Sequence, residues 1–424
     1  MRSVITVGRG RKKREVVSKL ERLKVLDRID SRIEFIQALI PLGLEAVSDI
    51  LQQEVRELVG ERYGRDREHS DRVRWGRQKS SVYLSDQKLP VVVPRVRDRR
   101  ANVEIPLMSL ERLQSPRSLD EGLFRKVLNG LSCRNYRECA EAVPEAFGMS
   151  ASTVSRRYIR VSARKLEALT KRRLEGYDFV ALLLDGKHFA DDEMVMCLGV
   201  TLQGQKIVLG LIQTATEHEK PCSDFLHELL DRGLKMEDGL LVVIDGGKGL
   251  RKGVEKVLGD KAVIQRCQWH KRENVTSYLP KSERDMMTRK LQAAYERPTY
   301  EEARESLMKI KAELKVKNVS AMKSLEEGLE ETLTLHRLGV FKELGVSFKT
   351  TNLIESMNSG LGQRTDKVDR WRNSNQKRRW VASALLDLEK GFRKIRGCRH
   401  LPLLREVLKK TVREREKQKM KKAA

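Results

Sequence analysis

Two apolar runs stand out along this chain, and both stop at an aspartate followed by glycine. Phe179–Asp185 reads FVALLLD before Gly186, and Leu240–Asp245 reads LLVVID before Gly246 and Gly247. Continuous runs of Val, Ile and Leu suit strands buried on both faces. The carboxylate closing each run is expected where the sheet gives way to solvent. Met194–Thr201 and Gln205–Gln213, joined by Leu202-Gln203-Gly204, read as a hairpin with Gly204 in the turn. Pro221–Asp231 puts Phe225, Leu226, Leu229 and Leu230 on one helical face. A further helix passes through Val254, Val257 and Leu258, and Ala262–Gln265 is a fifth short strand.

The order strand, strand, strand, helix, strand, helix, strand is that of a ribonuclease H-like sheet, whose first and fourth strands are neighbours. Those are the strands ending in Asp185 and Asp245. Upstream, residues 15–60 show helical spacing through Leu20, Leu23, Leu26, Ile29 and Ile33. Pro41 is expected to break it, with a second helix through Leu44, Val47, Ile50, Leu51, Val55 and Leu58. Residues 61–76 read as an Arg-rich linker. Ser81–Leu84 and Val91–Val96 then form a hairpin whose second strand, with Pro90 and Pro94, belongs at an edge. Within a helical stretch over 119–165, Tyr136–Val143, the turn Phe147-Gly148-Met149-Ser150 and a helix from Ser152 have helix-turn-helix spacing. Ser152, Thr153, Ser155, Arg156 and Arg157 then face a major groove or its phosphates. Residues 281–345 are helical and Lys/Glu-dense. Helix returns over 352–392, broken near Lys367–Gln376, and the last twenty residues form a basic helix expected to fray.

Composition turns this layout toward a polyanion. The 424 residues carry a net charge of +26, unevenly spread. Residues 1–130 hold 28 Lys/Arg against 19 Asp/Glu and residues 131–175 hold 10 against 5, while residues 364–424 hold 21 against 7. Between them, residues 176–363 are near neutral, with 27 against 29. Basic flanks around a neutral centre suit arms that grip nucleic acid. A hydrophobic content of 39% supports a core, and no apolar run is long enough to span a bilayer. The N-terminus lacks a secretory signal, so a cytoplasmic location is expected. Six scattered Cys without a CxxC pair predict reduced thiols.

Phosphodiester cleavage and transesterification are served by two Mg²⁺ held by a few carboxylates, with Mn²⁺ as a substitute. Asp185 and Asp245 are two such ligands, although Asp-Gly is also an ordinary turn dipeptide. The third candidate is Glu355 in TTNLIESMN, where Asn352 as N-cap and Glu355 three residues on would form a reciprocal cap. Glu219, Asp191 and Asp192 compete for the role. Cys267 and His270 make a lone CxxH, and no second pair lies at finger spacing, so a structural zinc site is not expected. Trp269 between them can stack on an unpaired base or pack. His188 reads as a local hydrogen bonder.

LLLDG (182–186), VIDGGKGL (243–250), QRCQWHKREN (265–274) and TTNLIESMNS (350–359) together resemble the Mutator-type transposases of bacterial insertion sequences, from about residue 75 to 396. The resemblance implies an α/β catalytic core of ribonuclease H-like type with an all-helical insertion, preceded by a mainly helical DNA-binding region that includes the helix-turn-helix. It implies a catalytic and metal-binding triad of Asp185, Asp245 and Glu355, and a structural role for Cys267 and His270. The segment after Glu355, with RWRNSNQKRRW at 370–380, departs from the commoner pattern. The expected divisions are 1–120, 121–175 (helix-turn-helix), 176–278 (first part of the core), 279–346 (insertion), 347–396 (last part) and a basic tail over 397–424. The expected activity is Mg²⁺-dependent cleavage and strand transfer at terminal inverted repeats, by a homodimer or larger assembly on DNA. A DNA-binding regulator, or a nuclease that cuts without joining, are the alternatives.

Overall fold

Contacts divide the chain into two units, residues 1–161 and 162–424. The computed structural model describes residues 29–62, 71–84, 87–114, 117–131, 151–189, 192–214, 218–368 and 370–423.

In the first unit, helix α1 runs Ile29–Val59 without interruption, so Pro41 lies inside a helix instead of ending one. A proline there removes a backbone donor, at a cost of about 3 kcal/mol. Burial of Val47, Leu51 and Val55 against a small sheet offsets it. That sheet is β1 (Arg72–Leu84), β2 (Gln87–Asp98) and β3 (Val103–Ile105), in the order β1-β2-β3. Strand β1 thus begins inside the stretch read as linker, and β2, expected at an edge, is central. Its prolines are accommodated because β3 pairs only with Val96–Asp98, which leaves Pro90 and Pro94 beyond that short ladder. Helix α2 (Met108–Gln114) follows, its first amides held by the Glu54 carboxylate at 2.6 and 3.0 Å. Helices α3 (Arg117–Leu128) and α4 (Ala151–Thr170) meet where Phe124 stacks on Tyr158, ring centroids 5.5 Å apart.

The second unit is built on one mixed sheet. Its strands are β4 (Phe179–Phe189), β5 (Asp192–Thr201), β6 (Lys206–Thr214), β7 (Leu240–Ile244) and β8 (Ala262–Arg266), ordered β6-β5-β4-β7-β8. β4 is antiparallel to β5 and parallel to β7, so the first and fourth strands are neighbours as expected. Helices α5 (Glu219–Asp231) and α6 (Lys248–Leu258) bury Phe225, Leu226, Leu229, Leu250 and Val254 with Leu182, Leu184, Val242 and Ile244 of the sheet. After β8 the chain turns wholly helical: α7 (Gln268–Ser277), α8 (Lys281–Tyr295), α9 (Tyr300–Lys317), α10 (Val319–Glu326), α11 (Leu329–Thr332), α12 (Thr334–Arg337) and α13 (Phe341–Phe348). These helices share their own core around Met287, Leu291, Leu307, Leu314 and Leu325. Helices α14 (Asn352–Thr365) and α15 (Ser374–Glu389) return to the sheet side, α15 touching β6 and α14 touching β4.

The last helix, α16 (Leu401–Ala423), is helical as expected, and its first half is anchored and not a loose tail. Leu401, Leu404, Leu408 and Val412 are buried. Arg405 is bonded to the Asp178 carboxylate and to the Phe179 carbonyl, and Arg415 donates to the carbonyls of Asp260 and Ala262. The helix is therefore fastened along the start of β4 and of β8. Among the described residues no helix is long and apolar enough to cross a membrane.

Candidate active site

The parallel ladder between β4 and β7 pairs Ala181 with Leu241 through Leu184 with Ile244, and there it stops. The next residue on each strand is an aspartate, so the strand order itself sets Asp185 beside Asp245. Strand β4 continues against β5, with Asp185 opposite Met196. Asp185 is therefore not at a solvent-facing strand end, as the sequence suggested, but inside the strand and only 7% exposed. After Asp245 the backbone turns sharply. Gly246 has φ +110°, and a Cβ there would meet the Arg266 side chain at 2.0 Å, so both conformation and space demand glycine. Arg266 bridges this turn to the helical region, donating to the carbonyls of Gly246 (3.2 Å) and Glu327 (3.1 Å). Asp245 Oδ1 accepts from the Gly247 amide at 2.9 Å, which orients the carboxylate.

Glu355 arrives on the first turn of α14, whose N-cap is Thr351 and not Asn352. The reciprocal cap is absent because the Thr351 hydroxyl bonds the Glu355 carboxylate itself. The same hydroxyl lies 3.3 Å from Cys267 Sγ and 3.3 Å from His270 Nδ1. Cys267 caps the start of α7 and His270 lies on its first turn, so the CxxH element meets Glu355 through one threonine. The sulfur, nitrogen and oxygen donors of Cys267, His270 and Glu355 all fall within 4.8 Å of one another. Asp185 and Asp245 stand outside that grouping. Trp269 is 42% exposed and meets the His270 ring edge-on, centroids 4.7 Å apart.

Electrostatics link the two halves of the site. Burial first, then the charges of Asp245 and Glu355, push the Asp185 carboxyl up to about 7, against the pull of His270 and a hydrogen bond from Asn358. Burial draws the His270 imidazole down, but Cys267 beside it, with Asp245 and Glu355, lifts its pKa to about 9. The Cys267 thiol is raised by burial, yet bonds to His270 and Thr351 leave it below its ordinary value. A carboxyl pushed toward neutrality by burial, and further by the Asp245 and Glu355 charges, would be returned to its charged form by a bound cation. All three groups are hard oxygen donors, the chemistry Mg²⁺ prefers. The residues present therefore fit that ion. The competing acids are occupied elsewhere: Asp192 pairs with Lys377 and Glu219 with Lys256, while Asp191 lies outside the described residues.

Sequence reasoning passed over Asn358, whose Nδ2 donates to Asp185 Oδ2 at 2.7 Å. Its Oδ1 is buried and has no hydrogen-bond partner among the described residues. Lys187, two residues beyond Asp185, donates to the Asn358 carbonyl at 2.6 Å, so β4 and α14 are tied twice. The available signal was spacing, since Glu355 and Asn358 are three apart on one helix and share a face.

Of the residues assigned to DNA, Ser152, Thr153, Ser155, Arg156 and Arg157 all sit in the first two turns of α4. Val154 and Tyr158 bury the opposite face, while Ser152 and Arg156 are exposed. The Arg157 guanidinium lies over the Tyr83 ring at 4.6 Å. The expected first helix, Tyr136–Val143, and the turn at 147–150 lie outside the described residues.

A mixed sheet whose central parallel pair ends in adjacent aspartates, with a glutamate carried in by a later helix, defines an α/β protein with an acidic site on its sheet. The transposase model of the Mutator family matches residues 12–394, and the chain belongs to that family. It is 26% identical over 388 residues to the transposase of insertion sequence element ISRM5 of Rhizobium meliloti (strain 1021), covering 88% of this chain and 94% of the relative. Against the IS905 transposase of Lactococcus lactis subsp. lactis (strain IL1403) the identity is 26% over 355 residues, 81% of this chain and 86% of the other. The transposase of IS256 in transposon Tn4001 of Staphylococcus aureus is 23% identical over 315 residues, 71% and 77% of the two chains.

Proposed function

We propose that this chain is a DNA transposase with a ribonuclease H-like core, which cuts at the ends of its own insertion sequence and joins them to new DNA. The observation that carries the reading is the β4–β7 ladder running out at Asp185 and Asp245, with the charge of Glu355 felt by the same Asp185 carboxyl. Asp185, Asp245 and Glu355 would hold two Mg²⁺ through their oxygens. When bound, such a pair activates the attacking oxygen and stabilises the leaving one. Asn358 fixes the rotamer of Asp185, and Thr351 that of Glu355. Water cleaves at the element end, and the freed 3′-hydroxyl attacks a target phosphodiester with no covalent enzyme intermediate. Helix α4, as the second helix of a helix-turn-helix, presents Ser152, Thr153, Ser155, Arg156 and Arg157 to terminal inverted repeats. Trp269, exposed beside the site, offers a ring to an unpaired base. Two ends must be held together, which favours a homodimer or larger assembly on DNA.

The test incubates purified protein and Mg²⁺ with a plasmid carrying the gene's flanking DNA. Nicks at the element ends are expected, and Asp185→Asn, Asp245→Asn and Glu355→Gln should each abolish them while sparing end binding. Cleaved ends captured into a second DNA mark a transposase, whereas cleavage without capture marks a nuclease. End binding without cleavage by the wild type would favour a regulator.

A further inference from the structure

The CxxH element has a third partner that spacing along the sequence did not reveal. We infer that Cys267, His270 and Glu355 form a binding site for a borderline transition ion of the Zn²⁺ and Co²⁺ class, different in donor chemistry from the carboxylate site proposed above, with which it shares Glu355. Cys267 comes from the loop leaving β8, His270 from the first turn of α7 and Glu355 from the first turn of α14. Two helix starts thus converge on one point, and the donor atoms lie within 4.8 Å of one another. Around tetrahedral zinc, bonds of roughly 2.0–2.3 Å place donors about 3.3–3.8 Å apart. Binding would draw the donors closer together than they now stand.

The donor set points to the class of ion. Mg²⁺ takes oxygen and dehydrates reluctantly, so a sulfur and an imidazole nitrogen give it nothing. Thiolate, imidazole and carboxylate together are a ligand set of three-ligand zinc sites. The position between the donors is at present held by the Thr351 hydroxyl, 3.3 Å from the sulfur, 3.3 Å from the nitrogen and hydrogen-bonded to the carboxylate. A hydroxyl has one proton to give. That proton can serve the Glu355 carboxylate or the Cys267 sulfur but not both, whereas a cation there, displacing the His270 proton, would engage sulfur, nitrogen and oxygen together. Thr351 then either turns about its single χ1 or remains as a neutral fourth neighbour. The side chains of His270 and Glu355 are 28% and 35% exposed, which opens a path for an ion, while Cys267 is fully buried as the inner ligand.

Titration of the metal-free, reduced full-length chain with Co²⁺, without DNA, tests the site. The expected result is one equivalent bound, with a thiolate-to-metal charge-transfer band and visible bands of tetrahedral intensity, displaced by Zn²⁺. Cys267→Ser should remove the charge-transfer band, and Glu355→Gln and His270→Asn should each weaken binding by about tenfold or more. No charge-transfer band in the wild type overturns the inference. So does a band that survives in Cys267→Ser, since another of the six cysteines would then be responsible. Unchanged affinity in Glu355→Gln overturns it too, and that half-exposed substitution keeps the test decisive if Cys267→Ser fails to fold. The readout needs no cleavage, so it stands or falls independently of the proposed reaction. If both hold, Zn²⁺ captures Glu355 and inhibits cleavage in Mg²⁺, and Cys267→Ser relieves that inhibition.

Discussion

Asp185 is the residue on which the proposed chemistry and the stability of the second unit meet. Its pKa is about 7 in the fold against an ordinary 3.8, so the folded state holds its proton more tightly than the unfolded state does. A carboxyl raised in this way contributes stability that is complete below about pH 4 and lost as pH rises through 7. Asp185→Asn removes the titration while keeping the shape. In chelator-treated protein, the variant's stability minus that of the wild type should grow between about pH 4 and 7, by up to roughly 4 kcal/mol, then stay level. Urea unfolding across that range measures it, and a flat difference would show that the fold does not raise the Asp185 pKa. Asn358→Ala strips Asp185 of its hydrogen-bond donor. Cleavage should fall by about 10–100-fold, with a higher Mg²⁺ requirement, while end binding is kept. Equal rates at every Mg²⁺ concentration would refute a positioning role. That Asp185 and Asp245 close neighbouring apolar strands, and that Glu355 opens a helix, was legible because each signal is local. Asn358 and Thr351 were not, since only the packing of α14 on β4 and α7 shows what they touch.

Among the elements, the best-read were those whose signal is local. FVALLLD and LLVVID are strands by composition alone, and their parallel pairing followed from the order of elements. Strand β1 was half missed because RVRWGRQKSSVYL alternates too weakly to separate it from a polar linker. Helix α1 kept going through Pro41 because its apolar stripe has a sheet to lie on, a tertiary gain that helix propensity does not contain. Helix α16 is the largest revision. Its charge suggested a loose arm, yet its Leu and Val positions recur at helical spacing and are buried. Leu404→Ala, at a fully buried position, should therefore cost about 2–5 kcal/mol, read as a lowered urea midpoint of the second unit. A change within 0.5 kcal/mol, ordinary for an exposed site, would return α16 to the status of a solvated tail.

Across the whole molecule, charge is partitioned more sharply than structure. Residues 364–424 hold 21 Lys/Arg against 7 Asp/Glu, beside a near-neutral stretch that carries the three acids. The basic residues of α16 include several already bound to carbonyls or carboxylates, such as Arg405 and Arg415, so net charge overstates what is free to meet DNA. Binding to unrelated duplex DNA should weaken steeply with salt, and the slope of log affinity against log salt counts the phosphates contacted. Removing the exposed arginines of α4, with Arg156→Ala as the first case, should lower affinity and reduce that slope by about one. A slope unaffected by Arg156→Ala would move the contact elsewhere.

The wide separation of the acids along the chain also has a consequence for biosynthesis. Asp185 and Asp245 leave the ribosome early, but Glu355 follows only after the whole helical region from α7 to α13. At a translation rate of about 5–20 residues per second, Asp245 waits roughly 5–20 s for the third acid, and Asp185 longer. A nascent or prematurely terminated polypeptide ending before α14 carries two of the three carboxylates, together with any contacts its N-terminal portion makes with DNA. On the proposed function, such a fragment would occupy the ends without cutting them, so abortive translation would dampen the full-length protein made from the same message.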